Sequence, residues 1–209
     1  AALNKRNLTG VGALIDVNLY NTGVFLLANV ASNHLISGKE SKRYGNGHPN
    51  IVPYNLFKCR EGALVISVGN DGQFGLFSKI MENPHWCENP KFSTNASRVE
   101  NRVELEQLIE TALSTENAEH WYKLLQKNGI PVAVVRTVTQ SLSHPQTVEN
   151  GMVLDLEHPT AGIVKSLGLP ISFDGKRGKE TNLPPPLLGE HNEEILREFL
   201  GMSDKEIEQ

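Results

Sequence analysis

Ala63-Leu64-Val65-Ile66-Ser67-Val68-Gly69-Asn70-Asp71-Gly72-Gln73-Phe74-Gly75 changes its period in the middle. Residues 63–68 are a β-branched and aliphatic run of the kind a buried strand carries. From Asp71 onward the apolar positions Phe74, Phe77, Ile80 and Met81 fall at helical spacing. A strand therefore turns into a helix at Gly69, with Asp71 as the predicted cap and the helix ending before Pro84. Upstream, Ile51 to Lys58 and the turn Arg60-Glu61-Gly62 supply the other half of a hairpin. Downstream, Leu105, Leu108, Ile109 and Ala112 mark a helix with Ser97 to Glu100 as its capping box. A second helix starts at Thr115 and buries Ala118, Trp121, Tyr122 and Leu125, and Pro131 to Val135 reads as a further strand. Helices and strands are mixed throughout.

Working outward, Leu3 to Arg6 closes a helix stopped by Thr9-Gly10-Val11-Gly12, and Ala13 to Leu19 is extended or strand-like. Leu19 to Ile36 has helical spacing and stops at Gly38. Ser37 to Asn50 has no period and contains Gly38, Gly45, Gly47 and Pro49, which marks a boundary or a mobile loop. On the C-terminal side a short helix lies around Thr139 to Leu142. Val153 to Glu157 and Ile163 to Ser166 then form a second hairpin. Beyond Ile171, Asp174 to Lys179 and Pro184-Pro185-Pro186 read as an extended linker. The last elements are a helix holding Ile195, Leu196, Phe199 and Leu200, and a capped turn at Ser203 to Glu206.

Composition narrows the function. The 209 residues are 39% hydrophobic and 21% charged, the net charge is −4, and no Lys/Arg run exceeds Lys42-Arg43. That balance lacks the basic footprint of a nucleic-acid binder. The longest apolar stretch, Val24 to Ala28, is far short of the roughly 20 residues that cross a bilayer. No basic-then-apolar leader opens the chain. Two cysteines, Cys59 and Cys87, cannot build a disulfide framework and point to a reducing, intracellular compartment. The sequons at Asn7 and Asn95 carry no meaning there.

Several local patterns bear on chemistry. Gly69 to Gly75 sits where a phosphate loop would, yet it lacks G-x-G-x-x-G spacing, which favours a plain strand-to-helix turn. The seven histidines, at 34, 48, 85, 120, 144, 158 and 191, have no H-x-x-x-H spacing, and there is no C-x-x-C, so no metal site is expected. A G-x-S-x-G elbow is absent. Cys59 and Cys87 have no local basic partner and read as inert thiols. Asp16, alone in an apolar run, is a perturbed acid or, as the favoured reading, a strand-end hydrogen-bonding residue. In Arg43-Tyr44-Gly45-Asn46-Gly47-His48-Pro49, two glycines beside a titratable histidine suit a lid that approaches a ligand closely. A flexible linker would look the same, and both readings stay open.

A set of ordered short motifs resembles the class III CoA-transferases, the superfamily of formyl-CoA transferase, carnitine CoA-transferase and α-methylacyl-CoA racemase. They begin with Ala1-Ala2-Leu3, Arg6, Thr9-Gly10-Val11-Gly12 and Ile15-Asp16-Val17-Asn18-Leu19. Gly47-His48-Pro49, Pro53-Tyr54, Phe57, Gly62, Val68-Gly69-Asn70-Asp71 and Gln73-Phe74 follow, then Thr94-Asn95 and Arg98-Val99-Glu100-Asn101-Arg102. Gly129-Ile130-Pro131, His144-Pro145-Gln146, His158-Pro159, Pro184-Pro185-Pro186 and Leu188-Gly189-Glu190-His191 complete the set. Tyr44 to Tyr54, Gly162 and the triple proline look closest to members that move CoA between succinate and glutarate-like acids.

The resemblance implies an α/β class with a small α+β domain, the C-terminal part of that fold. Residues 1–45 would join a Rossmann-like large domain, incomplete in this chain, 50–165 would form a small α+β domain, and 166–209 would be the return segment. Two chains would interlock as a homodimer. CoA thioester enters as substrate, with no covalently bound cofactor and no metal. The implied mechanism is nucleophilic catalysis by an Asp carboxylate that passes CoA to a second acid through anhydride and aspartyl-CoA intermediates. That Asp, with most CoA contacts, is expected before Ala1, so no catalytic residue is assigned in this chain; Asp16 matches the motif's second acid. The chain is thus expected to be about half of a longer enzyme and inactive alone. Gly45, Gly47 and His48 match the glycine loop that covers the thioester, although the family loop in formyl-CoA transferase is a run of glycines and this one is not. Ala13 stands where the family usually has Gln. Within the family, a racemase moving an α-proton is the alternative, and Asn70-Asp71-Gly72 looks transferase-like. A truncated, non-catalytic dimerisation module is the alternative outside it. A eukaryotic member would work in the mitochondrial matrix, and otherwise in the cytoplasm.

Overall fold

The period change at Gly69 becomes a corner between a strand and a helix. A computed structural model describes residues 1–172, 174 and 183–207. The chain divides into two compact units, Ala1–Val135 and Arg136–Gln209.

In the first unit, β1 (Tyr54–Lys58) pairs antiparallel with β2 (Ala63–Ser67), and β2 pairs antiparallel with β3 (Val132–Val134). Alternation at period two places Phe57, Leu64 and Ile66 in the core. Four helices, α4 (Asp71–Ile80), α5 (Asn95–Glu100), α6 (Arg102–Leu113) and α7 (Ala118–Lys127), pack with it, and connecting residues such as Val52, Val68, Trp86, Phe92 and Ile130 complete the core. Phe74, Phe77, Leu105, Ile109, Leu113, Trp121 and Leu125 are all buried there, and Trp121 Nε1 donates to the Leu113 carbonyl at 3.0 Å. The hairpin turn is tied to α7: the Ala118 amide donates to the Glu61 carbonyl at 2.9 Å. Gly62, at φ +79°, has the Ala118 methyl 3.1 Å from where its own Cβ would stand. Both the backbone angle and the space therefore require glycine at this turn.

The α+β middle agrees with its sequence, while several boundaries move. Asn70, not Asp71, caps α4, its Oδ1 accepting from the Gln73 amide at 2.9 Å. Its side chain reaches the free N3 amide, which releases Asp71 for another partner. Ser97 to Glu100 do not cap α6; they lie inside α5, whose cap is Thr94. The helix expected from Thr115, α7, begins at Ala118 with Asn117 as cap, three residues later. The run from Leu19 to Ile36 breaks into α2 (Leu19–Phe25) and α3 (Ala28–Ser37), with Ala28 at φ 45°. Neither these nor α1 (Ala2–Thr9), which Gly10 ends in the left-handed conformation, bury a residue. Residues 11–18 form no strand and are exposed.

The second unit holds α8 (Val138–Leu142) with a Thr137/Gln140 capping box, α9 (Pro145–Glu149), and the hairpin of β4 (Val153–His158) and β5 (Gly162–Leu167). It continues with α10 (Asn192–Glu198) and α11 (Asp204–Ile207), where Glu206 accepts from the Ser203 amide at 2.9 Å. Most of the expected 174–186 linker lies outside the described residues. Among the described residues no helix is long and apolar enough to cross a membrane.

One charged side chain is wholly inside the first unit. Arg98 has no exposed surface, and its guanidinium donates in three directions: Nε to the Val52 carbonyl (2.7 Å), Nη1 to Phe92 (2.9 Å) and Nη2 to Asp71 (2.7 Å). Its Cζ lies 4.3 Å from the centre of the Phe74 ring. Asp71 is more than half exposed, so the ion pair itself contributes at most about 1 kcal/mol. Two orphaned buried carbonyls would cost about 1–3 kcal/mol each, and that term dominates. Arg98→Met is therefore expected to lose several kcal/mol in urea unfolding of the full-length protein, and Asp71→Asn about 1 or less. Arg98→Lys should recover only part of the loss, because one ammonium cannot span three acceptors. Equal losses for Asp71→Asn and Arg98→Met would contradict this ordering.

Candidate functional site

The segment from Tyr44 to Pro53 has no strand or helix of its own, so its backbone groups need partners from elsewhere. Three side chains spaced three and four apart, Asn95, Arg98 and Arg102, provide them. Asn95 Nδ2 donates to the Asn50 carbonyl (2.8 Å) and its Oδ1 accepts from the Val52 amide (3.2 Å). With its side chain so engaged, Asn95 is a structural residue. Arg98 holds the Val52 carbonyl, and Arg102 Nη2 donates to the carbonyls of His48 (2.7 Å) and Pro49 (3.1 Å).

Gly45, Gly47 and His48 come together in one ordered turn. The Gly47 amide donates to the Tyr44 carbonyl at 2.9 Å, and Gly45 sits at φ +61° with open space around it. Gly47 has no such room. A Cβ there would lie 3.1 Å from Arg102 Nη1, 3.2 Å from the Tyr44 carbonyl oxygen and 3.3 Å from Asn55 Nδ2. Tyr44 in turn covers the Arg102 guanidinium at 5.2 Å.

His48 is held at its backbone and at its ring. Its amide donates to the Tyr54 carbonyl at 2.8 Å, and its ring stacks on Tyr54 with centroids 5.3 Å apart. Nδ1 accepts from the Asn50 amide at 3.1 Å, so in the neutral ring the proton is on Nε2, which meets the Asn29 side-chain amide at 3.2 Å. From this network we assign the Asn29 oxygen as the atom facing Nε2. The same device recurs at every other His-Pro pair: His144 Nδ1 accepts from the Gln146 amide (3.2 Å), and His158 Nδ1 from the Thr160 amide (3.2 Å). Proline has no N–H, so the first amide the ring can reach is two residues on, as in an Asx turn.

Beneath the loop, Glu106 Oε1 lies 3.6 Å from Arg102 Nη1, too far for a hydrogen bond, and both atoms are buried without a partner. Burial pushes the Glu106 carboxyl above its ordinary value, against the lowering by the Asn55 hydrogen bond and the Arg102 charge. On the outer side of Tyr44, an open cavity of about 610 Å³ is lined by Asn33, Lys39, Lys42, Pro49, Asn50 and Val99, among others.

The other candidates resolve simply. The 69–75 turn is internally saturated: the Gly69 amide donates to Gln73 Oε1 (2.8 Å) and the Gln73 amide to Asn70, while Asp71 adds negative charge where a phosphate would sit. It is the strand-to-helix turn favoured above. Asp16 is exposed on the irregular 11–18 segment. Burial pushes the Cys59 thiol up, away from thiolate, and Cys87 Sγ contacts the Pro84 carbonyl at 2.9 Å. Among the described residues no three His, Cys, Asp or Glu side chains group as metal ligands. Sequence reading missed Arg102, Glu106 and Asn55 as the support of the loop. The signal was the Asn95, Arg98, Arg102 spacing, visible but read only as a motif match.

The profile of CoA-transferase family III matches residues 1–192, and the chain belongs to that family. It is 37% identical to the human succinyl-CoA:glutarate CoA-transferase over 99% of this chain and 47% of that protein. It is 32% identical to the succinate–glutarate CoA-transferase of Agrobacterium fabrum over 95% of this chain and 50% of that protein. A crystal structure of a CaiB/BaiF family protein from Brucella suis superposes with a TM-score of 0.69 at 36% identity, covering 94% of this chain and 50% of that one. The chain thus spans about half the length of the curated relatives it matches.

Glu106 yields a pH prediction. Its folded value lies above its ordinary 4.5, so between the two the native state binds more protons than the unfolded state. Stability then falls as pH rises through that window. Glu106→Gln removes this slope, and urea unfolding across a pH series is expected to show the variant gaining on the wild type from pH 4.5 upward. Parallel curves would contradict the raised value.

Proposed function

We propose that the full-length protein transfers CoA from succinyl-CoA to a glutarate-like dicarboxylic acid, and that this chain supplies the loop closing over the reacting thioester. The observation that carries the reading is the end-to-end similarity to two relatives named for succinate and glutarate. The nucleophile is an Asp carboxylate outside this chain, upstream of Ala1. Its oxygen attacks the thioester carbonyl, giving a mixed anhydride and releasing the CoA thiolate. The thiolate then attacks the Asp side of the anhydride, forming aspartyl-CoA and freeing succinate. The acceptor carboxylate repeats the exchange in reverse order and leaves as its CoA thioester.

Residues 1–45 belong in this reading to the large domain, 50–165 to the small domain and 166–209 to the return segment of an interlocked homodimer. CoA thioester is a substrate, and no further cofactor is invoked. The two free thiols support an intracellular setting, and the resemblance alone suggests the mitochondrial matrix in a eukaryote. Gly45, Gly47 and His48 exclude water from the thioester. Their turn is ordered and clamped from below, which favours a cover over a plain linker. The racemase alternative is disfavoured, because Asp71, near the position of the racemases' Glu, is held by Arg98 at 2.7 Å.

The test is transfer itself. Full-length protein with succinyl-CoA and glutarate should yield glutaryl-CoA, and the 209-residue chain alone should yield none. Transfer by the isolated chain would overturn the upstream nucleophile, and no transfer to any dicarboxylate by the full protein would overturn the function. Gly47→Ala should lower transfer on the order of tenfold to a hundredfold through misplacement of the loop. Gly45→Ala, which meets backbone strain alone, should lose less.

A further inference from the structure

We propose that Arg102 is the positioning residue of the Gly45–His48 loop, holding the cover over the thioester at a set height through contacts to both ends and the middle of the turn. The inference rests on the functional reading above and adds to it a residue outside the loop.

Three sets of contacts carry the proposal. At the C-terminal end of the turn, one nitrogen, Nη2, binds two successive carbonyls, His48 at 2.7 Å and Pro49 at 3.1 Å. At the N-terminal end, the Tyr44 ring lies over the guanidinium at 5.2 Å. In the middle, Nη1 occupies the space that a side chain at 47 would need. The planar fork thus touches the turn along its length, and a rigid plane transmits its own placement to all of it. His48 and Pro49 cannot be shifted without moving the guanidinium or breaking a bond to it.

Glu106 faces the same guanidinium nitrogen that lies next to Gly47. Its Oε1 is 3.6 Å from Nη1, and neither atom has another hydrogen-bond partner. A movement of under about 1 Å would close that gap to hydrogen-bond length. The pair therefore gives the loop a defined support with a short, bounded travel.

The experiment uses the full-length protein with Arg102→Met and Arg102→Lys. Hydrogen exchange is followed at the amides of Gly47, His48 and Asn50, with β1 and β2 as internal reference. In parallel, succinyl-CoA with glutarate is assayed for the ratio of hydrolysis to transfer. Arg102→Met is expected to speed exchange at those three amides at least tenfold, leave the strand amides unchanged, and raise the ratio at least tenfold. Arg102→Lys, which keeps the charge and stem and so guards against misfolding of the Met variant, should shift both readouts in the same direction by less. A purely structural role would lower the melting temperature and leave the ratio per folded molecule as in wild type, which overturns the proposal. Unchanged exchange at 47–50 overturns it as well. If the wild type transfers no CoA, the functional reading fails by itself, and the exchange result alone decides whether Arg102 positions the loop.

Discussion

Backbone carbonyls that leave the solvent must find donors, and between His48 and Pro53 the chain makes none of its own through regular structure. Arg98 solves the deepest part of that problem. Its Nε takes the Val52 carbonyl and its Nη1 the Phe92 carbonyl, bridging the segment before β1 to the segment before α5. With Val52 anchored, the Val68 amide reaches the Pro53 carbonyl at 2.9 Å, and β1 enters the sheet with Tyr54 opposite Ser67. Asn95 and Arg102 extend the same arrangement outward to Asn50, Pro49 and His48. A lysine could neutralise Asp71 equally well, but only a guanidinium offers donors at the required angles to three acceptors.

The glycine turn inherits its order from this clamp. Its two glycines answer different constraints: Gly45 a positive φ in open space, Gly47 the proximity of Arg102, Tyr44 and Asn55. The loop departs from a run of glycines, and the packing gives a physical account of the departure. Where the guanidinium stands under the chain one glycine is demanded, and where the chain faces outward Asn46 is tolerated. His48, conspicuous as a titratable group, is engaged through Nδ1 as a turn builder, and its remaining ring face is a donor. That assignment favours a hydrogen-bonding role for His48 over a proton-abstracting one.

Outside the core of the first unit, the helices near the N-terminus behave differently. Leu19, Tyr20, Phe25, Leu35 and Ile36 are exposed in this chain, although their spacing is helical. Amphipathic periodicity dictates a helix and an apolar face, but it carries no information about which surface that face meets.

Motifs ordered along the whole chain determined the family. Residue by residue, the sequence determined the local outcomes: the strand-to-helix change at 69, the hairpin at 60–62, the helices around Leu105 and Trp121, and the ends at Gly10 and Gly38. These follow from neighbours within about four residues, where period, caps and positive-φ glycines act. Tertiary structure alone decided that Asp71 turns to Arg98, that Arg98 is wholly buried, and that Gly47 is a matter of space. It also placed Arg102 beneath the loop. Each of those depends on a partner far along the chain, such as the 46 residues separating Arg98 from Val52. A one-dimensional pattern records what a residue does to its neighbours; which carbonyl it must satisfy is known only once the chain has folded around it.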